Sequence, residues 1–233
     1  MDARRGDGYG HPSSAGDGVA DILRLDRAPA EQGVMKDPQP VVGHGNLDPQ
    51  TLLVIVSGAP GSGKSTLARR LADEIGAPVL VRDDLKEILL DTLGAEDREA
   101  SNRLGVASYA LLHRLLNVFV GRVSRLVVES NFTRGLAEPE LAPLLSATIP
   151  VQLHCRASES EVVRRIEARA GSDERHPGHF DAVALPGVMR RFADGAFDPL
   201  HLLAPLLSID TTTGYEPGWP SIIRFVRRYE GRR

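Results

Sequence analysis

The run Gly58-Ala59-Pro60-Gly61-Ser62-Gly63-Lys64-Ser65 constrains this chain more than any other feature. It fits the G-x-x-x-x-G-K-[ST] pattern in full. The apolar stretch Leu52-Leu53-Val54-Ile55-Val56 precedes it, and a helical pattern opening at Thr66-Leu67-Ala68 follows. Strand, glycine-rich turn and helix together make a phosphate cradle. The glycines let the backbone wrap inward, so several N–H groups converge on phosphate oxygens at a helix N-terminus. Lys64 supplies a compact charge for the β- and γ-phosphates, and the Ser65 hydroxyl can ligate Mg²⁺. Gly58 through Thr66 are therefore the expected nucleotide-binding residues, with ATP and Mg²⁺ as cofactors. Lys occurs only at positions 36, 64 and 86 in a chain otherwise rich in Arg. A lysine at position 64 suits a point-charge role that a planar guanidinium fills poorly.

Short apolar runs recur at Pro78–Val81, Arg125–Val128, Ile149–His154 and Leu206–Ile209. Continuous runs of this kind read as strands buried on both faces. Helical patterns lie between and after them, at Ser65–Ile75, Leu85–Leu93, Leu104–Val120, Glu138–Ser146, Glu159–Ala170 and Ser221–Arg228. Alternation of this sort predicts an α/β fold of the three-layer P-loop NTPase type. It implies a mostly parallel five-stranded sheet with helices on both faces. Residues 1–48 are rich in Gly, Pro, Asp and Ser and read as a flexible tail. Residues 49–233 then form the domain, with an Arg-rich lid at about 169–182.

Two acids stand where strands end, the place at which open α/β sheets gather ligands. Asp83 in Val81-Arg82-Asp83-Asp84-Leu85-Lys86 is placed to accept the proton of an attacking hydroxyl. Either aspartate could instead cap the following helix. Glu129 in Val127-Val128-Glu129-Ser130-Asn131 is placed like a carboxylate that orders the magnesium shell or the attacking group, or is an ordinary acid at a strand end. Asn131 could hydrogen-bond a substrate or form the turn. Arg165 and Arg169 share a helix face, and Arg175 follows in a polar loop; such arginines can neutralise transferring phosphates. A solvated helix with a Glu161–Arg165 pair is the alternative. His176 and His179 read as lid or substrate contacts rather than metal ligands. Asp210 and Thr211, after the last strand, are expected near the adenine.

In this order, Gly58–Ser65, Arg82-Asp83-Asp84-x-Lys86, Val127–Asn131 and Arg165/Arg169 resemble the P-loop kinases related to bacteriophage polynucleotide kinase. Zeta toxins and chloramphenicol phosphotransferase lie in the same neighbourhood. The resemblance spans roughly residues 51–210. It implies that Asp83 is the general base and that Arg169 is a lid arginine on the nucleotide phosphates. Where that branch usually carries Arg, this chain has Lys86, in a position that contacts a substrate phosphate. Where it usually carries Asp, this chain has Glu129.

The formal net charge is −3, which does not favour a life spent on nucleic acid backbone. Cys155 is the single cysteine, and no run approaches the ~18 apolar residues of a membrane span, so a cytoplasmic setting is expected. The expected activity is transfer of the γ-phosphoryl group to a hydroxyl of a small molecule, with Lys64, Asp83, Arg165 and Arg169 as catalytic residues. Lys86, Glu129, Asn131 and Arg175 are expected on the acceptor side. A 5′-hydroxyl polynucleotide kinase, its groove drawn from Arg224, Arg227, Arg228, Arg232 and Arg233, is one alternative. A slow ATP-hydrolysing switch is another.

Overall fold

The computed structural model describes residues 51–170, 172 and 175–231. The segment read as a tail, residues 1–48, lies outside the described residues, as do Arg232 and Arg233. Five strands, β1 (Thr51–Gly58), β2 (Val79–Val81), β3 (Arg125–Glu129), β4 (Thr148–Arg156) and β5 (Leu206–Asp210), form one sheet. Its order is β2-β3-β1-β4-β5, and every ladder is parallel. The α-helices are α1 (Lys64–Ile75), α2 (Arg82–Leu93), α3 (Arg98–Phe119), α4 (Ala137–Ser146), α5 (Glu159–Ala170), α6 (Asp181–Ala193) and α7 (Trp219–Arg227).

The central strand shows why the layers form. All of β1 is buried, and its side chains alternate between the two sheet faces. Leu52, Val54 and Val56 join Leu67 and Leu71 of α1 and Ile222 and Val226 of α7. Leu53 and Ile55 join Leu112 and Leu116 of α3 and Leu141 and Leu144 of α4. Each such side chain removed from water contributes about 1.5–3 kcal/mol, so the two cores together hold the sheet between its helices. After β1 the chain moves two places to one side, returns through β3, and crosses to β4 on the other side. The crevice made by that reversal opens at the carboxyl end of β1.

The two largest shifts of a helix start from the sequence pattern are at α2 and α3. Helix α2 begins at Arg82, directly after β2, so Asp83 lies in its first turn. Helix α3 begins at Arg98 because Asp97 caps it, its Oδ1 accepting from Ala100 N at 2.7 Å. The pattern assigns no element to 181–193, where Pro186 and Gly187 argue against a helix. Helix α6 nevertheless forms there. Leu185, Val188, Met189 and Phe192 line one face and pack on Val162 and Ile166 of α5.

Candidate active site

The phosphate loop is built from backbone. Gly58 has φ 142°, and a Cβ there would lie 2.2 Å from the Cys155 carbonyl oxygen, so only glycine fits. Gly63 has φ 76° and opens α1 with no side-chain cap, which leaves the first-turn N–H groups free for an anion. The loop is braced from outside. Thr211 Oγ1 donates to Ser62 O at 2.7 Å, and Arg165 Nη1 donates to Gly61 O at 3.2 Å. Arg165 Nη2 also donates to Thr211 O at 2.6 Å, so this arginine ties the loop to the segment after β5.

Glu129 pairs in register with Val56 and is almost completely buried at the end of β3. Ser65 Oγ donates to its Oε2 at 2.9 Å, and Lys64 Nζ lies 3.4 Å from its Oε1. Burial raises the Glu129 pKa, against the opposing charge of Lys64. A buried carboxylate and a hydroxyl side by side at the mouth of a phosphate cradle are the donor set Mg²⁺ uses beside phosphate oxygens and water.

Asp83 reaches the same mouth from α2. Burial alone would raise its pKa, but the charges of Arg175 first and Lys64 second hold its carboxyl well below the usual range. Arg175 Nη1 lies 3.1 Å from Asp83 Oδ2. The neighbouring Asp84 lines the same cavity but is more exposed, and accepts from Arg69 Nη2 at 2.5 Å rather than from Arg175. The structure thus separates two aspartates that the sequence leaves equivalent.

Arg175 Nη1 also reaches Glu87 Oε1 at 3.2 Å, and its Nε donates to Asp181 Oδ2 at 3.0 Å. Arg169 Nε donates to the same Asp181 oxygen at 2.9 Å. His179 Nε2 lies 2.9 Å from Glu87 Oε1. Its pKa is pushed down to about 4 by burial first and by Arg175 second, so a neutral ring donates to Glu87. His176 faces Asp91 instead, at 3.2 Å. Among the described residues no group of three or more His, Cys, Asp or Glu side chains could hold a metal.

Two cavities flank this frame. One of about 560 Å³ is lined by Asp83, Glu87, Arg69 and Arg175, among others. The second, about 450 Å³, is lined by Gly61, Gly63, Lys64, Thr66, Thr211 and Tyr215, among others. Ser65, Arg165 and Arg169 line both, so they mark the junction. Lys86, Glu129, Asn131 and Asp210 line neither cavity, Glu129 reaching the site only through its contacts with Lys64 and Ser65. Lys86 Nζ donates to Ser101 Oγ at 2.8 Å, and burial and Arg82 push its amine down to about 8. The Asn131 Oδ1 atom is buried with no hydrogen-bond partner among the described residues. Asp210 accepts from Thr212 N at 2.9 Å and lies 3.4 Å from Arg156. Sequence reasoning missed Glu87, Asp181 and Tyr215. The i,i+4 spacing of Asp83 and Glu87 on α2 is the one signal that pointed toward any of them.

A family model described as an AAA domain matches residues 53–193. Uncharacterized proteins of Mycobacterium tuberculosis and Mycobacterium bovis are each 32% identical over 143 residues, covering 57% of this chain and 27% of theirs. The chain thus spans about a quarter of the length of these curated relatives. A solved structure from Chloroflexus aurantiacus, described as a "putative kinase", is 33% identical with a TM-score of 0.67. That match covers 78% of this chain and 99% of the other.

Proposed function

The chain belongs to the AAA domain family, and on that premise we propose that it is an ATP-dependent phosphotransferase acting on a hydroxyl of a small molecule. One observation carries this reading. An ionised carboxylate, Asp83, lines a cavity that meets the phosphate cradle at Ser65 and Arg169. A protein that only hydrolyses nucleotide as a switch has no need of that carboxylate. The likeness to the Chloroflexus aurantiacus protein supports the same reading.

The loop backbone and Lys64 hold the phosphates of ATP. Ser65 and Glu129 are the residues that would hold Mg²⁺, which supplies charge neutralisation on the phosphoryl oxygens. Asp83 accepts a hydrogen bond from the acceptor hydroxyl and orients its oxygen toward the γ-phosphorus. As the new P–O bond forms and the bond to ADP breaks, the hydroxyl proton passes to Asp83. A carboxylate this acidic is a weak base, so the proton moves late, and orientation is the larger part of its work. Arg169, with only its Nε engaged among the described residues, presents its terminal nitrogens at the junction to the transferring group. A cytoplasmic setting, where ATP is available and the free Cys155 stays reduced, suits this chemistry.

The test incubates the protein and its Asp83→Asn form with ATP and Mg²⁺ and a pooled panel of hydroxyl compounds. The panel holds nucleosides, nucleotide sugars, free sugars, antibiotics and 5′-hydroxyl oligonucleotides, and mass spectrometry reads the gain of one phosphoryl group. Wild type should make a product, and Asp83→Asn should make it about 10²–10³ times more slowly with ATP affinity nearly unchanged. Equal rates from the two forms would remove Asp83 from the mechanism.

A further inference from the structure

Asp181 has no place in the phosphate cradle and was not singled out by any motif, yet it stands at the centre of the lid. One of its carboxylate oxygens, Oδ2, takes the Nε–H of both Arg169 and Arg175, at 2.9 and 3.0 Å. Two guanidinium groups held against one oxygen repel each other. The arrangement persists only because the carboxylate offsets that repulsion in a partly water-excluded place, where the Asp181 side chain is 12% exposed. A surface ion pair would contribute little here.

The local backbone adds an independent observation. Phe180, the residue just before Asp181, has φ 52°, and it is the only non-glycine residue with positive φ among the described residues. A bulky side chain in the left-handed region is strained and persists only where its surroundings over-determine it. Phe180 is also the N-cap position of α6 and makes no side-chain cap hydrogen bond there. The strained residue therefore does not serve the helix by capping it. Its effect is to turn the chain so that the first residue of α6 meets the last turn of α5.

We propose that Asp181 is a positioning residue that holds Arg169 and Arg175 by their Nε edges and so aims their terminal nitrogens at the γ-phosphoryl group of a bound nucleoside triphosphate. The chemistry of the guanidinium supports this division. Each arginine has five N–H donors in a rigid plane, and fixing the Nε side sets the direction of the rest. Among the described residues Arg169 uses Nε alone, which leaves both terminal nitrogens for phosphate oxygens at the junction of the two cavities. Arg175 spends Nη1 on Asp83 and Glu87 and keeps Nη2. The inference rests on the site binding a nucleoside triphosphate, and it does not require that an acceptor be known.

The experiment is calorimetric titration of the whole chain with Mg·ATP and with Mg·ADP, because the ratio of the two affinities isolates what the γ-phosphate contributes. Wild type should prefer ATP, and Asp181→Asn should lose about tenfold of that preference. Asp181→Glu, which keeps the charge one methylene further out, should retain part of it. In an Arg169→Ala background the Asp181→Asn change should cost less than about threefold more, since its effect runs through the arginine. A purely structural role would lower the melting temperature while leaving the ratio intact. An unchanged ratio in Asp181→Asn, or in Asp181→Glu where the asparagine form does not fold, would overturn the proposal. So would equal losses with and without Arg169. Failure of the phosphotransferase reading appears elsewhere, as ATP binding with no phosphorylated product.

Discussion

The two sides of this site are built from different materials. On the nucleotide side, β1, the loop and α1 follow one another in the chain, and positive-φ glycines shape the cradle. On the acceptor side, Asp83, Glu87, Arg175 and Asp181 come from separated stretches and meet only through ion pairs between side chains. The first is a backbone device, rigid and intolerant of one added carbon. The second is a charge network whose members can exchange partners when a ligand brings its own charge. Rigidity suits a group common to every turnover, the polyphosphate. An adjustable network suits the step in which a phosphoryl group arrives and leaves.

The largest expected effect breaks the backbone side. Gly58→Ala puts a methyl 2.2 Å from the Cys155 carbonyl at φ 142°, and should destabilise the fold by about 4 kcal/mol and abolish ATP binding. Urea unfolding and calorimetry check both; a stable variant that still binds ATP would show the loop to be more pliant than its geometry allows.

Arg165 belongs to both sides and sharpens the division. Its Nη donors go to the carbonyls of Gly61, Thr211 and Thr212 while its Nε donates to Glu161 Oε1 at 2.6 Å, so the helix pair expected from the sequence forms together with the brace. Arg165→Ala should cost about 2 kcal/mol and weaken ATP binding about tenfold. Were ATP binding untouched while transfer fell, Arg165 would act on the reacting group rather than on the loop.

The smallest effect separates the lid from the sheet by pH. His179 and the buried His154 of β4 are both pushed from 6.5 to about 4, mainly by burial. Between those values the unfolded chain binds more protons than the folded one, so stability should fall as pH drops from about 6.5 to about 4. His179→Gln should remove roughly 1 kcal/mol of that fall and leave the His154 share in place. Denaturation midpoints at pH 7 and pH 4.5 measure it; an unchanged slope would place His179 in water.

Much of the frame was legible in advance, because the residues that carry it are neighbours in the chain. Val54 and Ile55 announce a strand buried on both faces, and Gly63-Lys64-Ser65 announce where the helix behind it begins. Helix α6 was not legible. Pro186 and Gly187 oppose it locally, and only the face of α5 supplies the burial that overrides them. The site divides in the same way. Lys64, Ser65 and Asp83 could be named from motif and strand end, whereas nothing near Asp181 in the chain says that it will meet Arg169.

The α/β class, the phosphate loop and the acids just past β2 and at the end of β3 are all written in the amino-acid order. These follow from local patterns: continuous apolar runs, the glycine-rich turn between strand and helix, and the direction of parallel strands. Long-range packing alone makes Asp83 rather than Asp84 the partner of Arg175, sets Arg165 against the loop, and brings two arginines to Asp181. Those are encounters between side chains distant in sequence, and their energy depends on burial and on separations of about 3 Å that no local pattern encodes.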